Sequence, residues 1–140
     1  MPFKFLPDVA LADIAFRAEA PTLDGLFQTC AEAMTEIMVD PSGLKEGVTR
    51  EFTISSEGLD RLLYDFLTEV IFAKDVDSLL FKEYKVSISQ DGKSMVATAK
   101  GEPIDRERHS LRNDVKAVTM HLFGIARSGK EWTATVVLDI

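Results

Sequence analysis

Two aspartates stand where strand-like runs begin and end, and their chemistry is that of hard oxygen ligands. Asp13 sits in the alternating run Ala12–Glu19, whose Ala12, Ile14, Phe16 and Ala18 share one face. Asp139 closes the apolar run Val136-Val137-Leu138, and Ile140 follows it. If the two runs pair antiparallel, the start of one lies beside the end of the other, and Asp13 and Asp139 converge. The Ile140 carbonyl or terminal carboxylate would then lie close by. Such oxygen donors suit a hard divalent cation such as Ca²⁺ or Mg²⁺, with waters completing the shell. The plainer reading makes Asp13 an edge or cap residue and Asp139 a solvated strand end.

The other chemistry-bearing residues are few. His109 and His121 are the only histidines. Zinc sites need four ligands, usually His or Cys at short spacing, and no cysteine lies near either. Each histidine alone therefore reads as a structural or hydrogen-bonding group. Lys116 follows the polar Asn113 and Asp114 and precedes an apolar strand. Its ordinary reading is an exposed or ion-paired lysine. Beside an acidic metal cluster it could instead neutralise charge. Gly92-Lys93-Ser94 looks like the end of a phosphate-binding loop, but Ser87 occupies the position of the required glycine and a strand follows. No nucleophile elbow and no paired Cys–His spacing is present.

The elements that must position these groups fit into 140 residues, read as a single domain over 1–140. Hydrophobic residues make up 46% and charged residues 28%, which argues against disorder. The formal charge of −7 makes direct nucleic-acid binding unexpected, because affinity for phosphate backbones needs basic patches. Cys30 is the only cysteine and falls on an apolar helical stripe, so it reads as core. No signal peptide or membrane span is evident, and a cytoplasmic location is the default.

Phe3–Leu6 reads as an edge strand and Ala12–Glu19 as a half-buried one. Thr22 caps a helix whose stripe is Leu23, Leu26, Phe27, Cys30, Met34, Ile37 and Met38. Val48–Ser55 is a strand. Gly58 opens a second helix with Leu59, Leu62, Leu63, Phe66, Leu67, Val70 and Ile71 on one face. Leu80–Gln90 and Ser94–Lys100 form a hairpin about Asp91-Gly92. Arg106–Asn113 is polar and irregular. Ala117–Arg127 and Glu131–Ile140 are the last strands. The expectation is an α+β fold, with both amphipathic helices packed by one face each on a mainly antiparallel or mixed sheet of about seven strands.

The block Gly101–His121 adds a resemblance. Gly101, Glu102, Asp105, His109, Leu111, Lys116, Ala117, Val118, Thr119 and His121 fall in register with the pattern GE-x-x-D-x-x-x-H-x-L-x-x-x-x-KA-V-T-x-H. That pattern is similar to the signature of the archease family, with Met120 where the family usually has Tyr. The family's first motif is close to D-H-T-A-D-I. Here Val9-Ala10-Leu11-Ala12-Asp13-Ile14 keeps its last three residues, and Asp8 stands one residue before the position of the first Asp. The resemblance implies a divalent metal, Ca²⁺ first with Mg²⁺ or Mn²⁺ as alternatives, held by Asp13 and Asp139 with oxygens from Ile140. It puts Lys116 on the functional surface, where it could reach a phosphate on a partner's nucleotide, with His109 and His121 ranking below it. It also implies an accessory protein that promotes guanylylation of the tRNA-splicing RNA ligase and its multiple turnover, not an enzyme. Two alternatives are a metal-dependent phosphoester hydrolase and a chaperone-like assembly module.

Overall fold

A computed structural model describes residues 2–6 and 13–140. Their elements are β1 (Phe3–Phe5), β2 (Asp13–Ala20), α1 (Leu23–Met38), a 3-10 turn at Pro41–Gly43, β3 (Val48–Ser55), α2 (Leu59–Asp77), β4 (Leu79–Ile88), β5 (Ser94–Pro103), β6 (Ala117–Val118), β7 (Gly124–Ser128) and β8 (Glu131–Asp139).

The fold is α+β, but the strands do not make one sheet. A five-stranded sheet runs β1-β2-β8-β6, with β7 also paired to β8, and a three-stranded sheet runs β3-β5-β4. All pairings are antiparallel. The reason for the split lies in α1. Its expected stripe is buried, but Thr29, Ala31, Ala33 and Thr35 are buried as well. The buried arc is thus wider than one face. One side of α1 packs on β2 and β8, the other on β4. The small side chains permit close approach to both sheets. The one-face reading of this helix is therefore corrected.

Local signals account for the element ends. Thr22 Oγ1 accepts the Gly25 N–H at 3.1 Å, the cap its type suggests. The last carbonyls of α1 are met by a distant loop. Arg112 N–H donates to Met38 O at 2.8 Å, and Asn113 N–H donates to Ile37 O at 3.1 Å. Gly92, at φ 72°, makes the β4–β5 turn. The core between the sheets is aromatic: Phe27 stacks on Phe66 at 6.4 Å, and Phe52 meets Phe66 and Phe81 edge-on. Cys30 is fully buried there, and burial pushes its thiol up.

The expected strand Ala117–Arg127 is two strands. β6 pairs Val118 with Leu138, and β7 resumes at Gly124 opposite Thr135. Thr119 to Phe123 thus stand opposite only Val136 and Val137. The excess is taken up in a turn where Leu122 adopts φ 57° and Phe123 N–H donates to Met120 O at 3.3 Å.

Candidate functional site

The β2–β8 ladder sets Asp13 directly across from Asp139, followed by Ile14 with Leu138 and Ala15 with Val137. Directly paired residues of an antiparallel ladder carry their Cβ atoms on one face, about 5 Å apart. Phe16, Ala18, Val136 and Leu138 of these strands point into the core. Alternation therefore puts both aspartates on the face turned away from the helices, in line with Ala15 and Val137. Both are half-buried, and neither has an ion-pair partner among the described residues. Ile140 packs its side chain against the core.

From the other side, Ala117 pairs with Asp139, and Lys116 N–H donates to Asp139 O at 2.8 Å. Lys116 is exposed and joins no ion pair among the described residues. His121 lies on the exposed turn after β6. Among the described residues no group of three or more His, Cys, Asp or Glu side chains assembles. The acidic set is thus a facing pair rather than a cluster of three side-chain carboxylates. Asp8 and the stretch Val9–Ala12 lie outside the described residues.

His109 is committed elsewhere. It is 5% exposed, its Nδ1 accepts the Asp105 N–H at 2.9 Å, and Nε2 lies 3.0 Å from Glu102 Oε2. With Nδ1 accepting, the proton sits on Nε2 and is donated to Glu102. Glu102 also accepts from Arg108 Nη2 and, at 2.6 Å, from the Lys45 N–H. The bonds from Arg108, His109 and Lys45, in that order, hold the Glu102 carboxyl down to about 2. Asp105 Oδ1 in turn accepts the Glu107 N–H at 3.0 Å. Gly101 is needed for a different reason: a Cβ there would lie 1.8 Å from Leu80 O, beside the bulge between Phe81 and Glu83. Much of the block Gly101–His109 is thus a structural clamp.

A second clamp was missed from sequence. Lys74 of α2 is 8% exposed, and its Nζ donates to Asp114 Oδ1 at 2.6 Å and to Val115 O at 2.7 Å. It also pairs with Asp75 at 2.6 Å. These bonds fix the segment that leads into Lys116. The signal was available, because Lys74 lies four residues after Val70 on the buried side of α2.

The comparisons with known proteins agree with this architecture. The sequence model of the Archease protein family matches residues 3–140. The chain belongs to the archease family. An archease from Methanothermobacter thermautotrophicus is 39% identical over 131 residues, covering 92% of this chain and 93% of that protein. The archease of Pyrococcus furiosus is 36% identical over 132 residues, covering 92% and 93%. The solution structure of Methanobacterium thermoautotrophicum protein 1598 has a TM-score of 0.87 at 37% identity, covering 99% of each chain. A crystal structure from Thermotoga maritima, described as an archease and possible chaperone, shares the fold at TM-score 0.66 and 18% identity, covering 96% of each. As an archease, the chain falls in a class of non-catalytic activators. Among the described residues, no helix is long and apolar enough to cross a membrane.

Proposed function

We propose that this archease activates a tRNA-splicing RNA ligase by promoting the ligase's guanylylation and so its repeated turnover, with Asp13 and Asp139 as the functional centre. The observation that carries the reading is the direct pairing of Asp13 with Asp139 across β2 and β8. Two carboxylates held on one face, with no ion-pair partner among the described residues, are costly neighbours unless a cation lies between them. Their oxygens, with the Ile140 carbonyl adjacent in sequence, are the donor chemistry that Ca²⁺, Mg²⁺ or Mn²⁺ accepts. The set is incomplete for Ca²⁺, so waters or the partner's own groups complete it. A bound divalent ion supplies positive charge for phosphate oxygens.

The chain's own residues do the rest. Asp13 and Asp139 are set by a central ladder rather than by a loop, which fixes their spacing. Lys116, tied to Asp139 by its backbone and with its ammonium in no ion pair among the described residues, neutralises charge at the interface and orients a triphosphate held by the ligase. Phosphoryl transfer depends on such positioning and charge neutralisation. His121 lies on the turn beyond β6 and contributes to the docking surface. His109 acts through the fold.

The test is ligase guanylylation with GTP, measured with and without this protein. Asp13→Ala and Asp139→Ala are expected to abolish stimulation while circular dichroism and melting stay near those of the parent. Full stimulation by both variants would sink the proposal.

A further inference from the structure

The other lateral edges of the two sheets are short or in part capped by side chains, and one edge is neither. Along β4, Gln28 Oε1 accepts the Val86 N–H and Asp24 Oδ1 accepts the Ile88 N–H, each at 3.0 Å, while Thr35 Oγ1 donates to Phe81 O at 3.0 Å. All three side chains come from α1. On β7, Asp60 Oδ1 accepts the Ile125 N–H at 3.3 Å. β1 is only three residues long. Short or covered edges are how folded proteins avoid unwanted pairing.

β3 is the exception. It is eight residues long and lies at the edge of its sheet. Ser56 N–H donates to Lys93 O at 2.8 Å, one pair beyond the β3–β5 ladder. Bonding directions alternate, so Val48, Arg50, Phe52 and Ile54 bond toward β5. Thr49, Glu51, Thr53 and Ser55 turn N–H and C=O outward. Among the described residues these outward groups have no hydrogen-bond partner.

A groove of about 270 Å³ follows this edge, lined by residues 50–54 and by Glu69, Phe72 and Ala73 of α2. Successive strand residues point to opposite faces, so a groove touching all five runs along the edge rather than over a face. Phe72 is 59% exposed in it. Arg50 is already held by Asp77 at 3.0 Å. Glu51 and Glu69 have no ion-pair partner among the described residues.

We infer that the β3 edge is a strand-addition site for an extended segment of another protein that alternates apolar and basic residues. The outward backbone groups extend the ladder and give affinity, and the side chains of the added strand give choice at period two. Those on the helix side meet Phe72, with Glu69 at the same wall. Those on the opposite side meet Glu51. The net charge of −7 favours a basic partner at longer range. A second copy of β3 brings the same Glu51 against it, and the Arg50 it carries is already held by Asp77. The site is on the other sheet from Asp13 and Asp139, so it stands independently of the ligase reading.

The test uses the full chain and three short labelled peptides followed by fluorescence anisotropy. One alternates valine and lysine, one alternates valine and glutamate, and one carries the first composition in separate valine and lysine blocks. The alternating lysine peptide is expected to bind and the other two to bind at least about tenfold more weakly. Thr53→Pro removes an outward N–H and leaves the β5 ladder intact, so affinity should fall about tenfold or more with melting little changed. Phe72→Ser provides the same readout without touching the backbone. The double change Glu51→Lys, Glu69→Lys should shift preference to the glutamate peptide. No binding of the alternating lysine peptide overturns the inference. Equal affinity for the blocked peptide reports charge attraction alone and also overturns it. So does self-association of the free chain that Thr53→Pro abolishes, or binding indifferent to both single variants.

Discussion

Lys74 Nζ lies 2.6 Å from Asp114 Oδ1 and 2.7 Å from Val115 O, joining the end of α2 to the segment before β6. The lysine is nearly buried while Asp114 is largely exposed. The bond is thus a tether more than a buried ion pair. Lys74→Met keeps the packing of the stem and removes all three donors. It should lower unfolding free energy by about 1–3 kcal/mol in urea titrations. If stability does not move, the tether contributes nothing to the fold.

Gly101 tests the close approach of β5 to β4. The Cβ of Gly101→Ala would meet Leu80 O at 1.8 Å and Phe81 Cα at 2.6 Å, both backbone atoms. Neither can swing aside. Loss of about 4 kcal/mol or more is expected, read as a collapsed melting temperature or insoluble expression. A soluble variant melting near the parent would show that the bulge at Phe81 can open.

The sequence had foretold parts of this arrangement unevenly. Val48–Ser55 is legible because Phe52 and Ile54 alternate with polar residues over a clean run. The facing of Asp13 and Asp139 follows from two strand ends and one assumption of antiparallel pairing. Leu122 gave no warning of its turn, since a leucine at φ 57° is not a residue type that announces one. The division into two sheets was hidden in Thr29, Ala33 and Thr35. Their small or polar character reads as solvent-facing until a second sheet is placed on them. The Glu102–His109 bond joins the end of β5 to the aperiodic loop that follows it, where no spacing rule applies.

Glu102 sets an acid limb. Its carboxyl is held from the ordinary 4.5 down to about 2, so the folded state binds its proton less readily than the unfolded chain. Stability from this group is present above about pH 4.5 and is lost as pH falls toward about 2. Glu102→Gln should lower stability at neutral pH and flatten the slope across that window. An unchanged slope in melting temperature against pH would reject the assignment.

Calcium offers a readout that needs no ligase. If Asp13 and Asp139 bind it, Ca²⁺ at about 100 times its dissociation constant stabilises the fold by about 2.7 kcal/mol. Asp139→Asn should remove most of that gain. A melting temperature indifferent to Ca²⁺, Mg²⁺ and Mn²⁺ in the parent protein would mean that any ion requires the partner's ligands.

Cys30 should be silent in the native protein. It is fully buried and burial raises its thiol, so little thiolate is presented to solvent. Thiol reagents are expected to label it only at the rate of unfolding, and completely in urea. Fast labelling without denaturant would reveal local opening of α1.

β8 is hydrogen-bonded to β2 on one side and to β6 and β7 on the other. Every other strand of that sheet reaches the rest through it or through β2, yet it follows all of them in the chain. During synthesis β2 waits without its neighbour while the intervening segments emerge, and the helices have only the smaller sheet to settle on. Closing so long a loop costs more entropy as the sequence separation grows, and non-local pairing of this kind slows folding. The two aspartates therefore meet only after β8 has been made, and a chain stopped before it cannot present them.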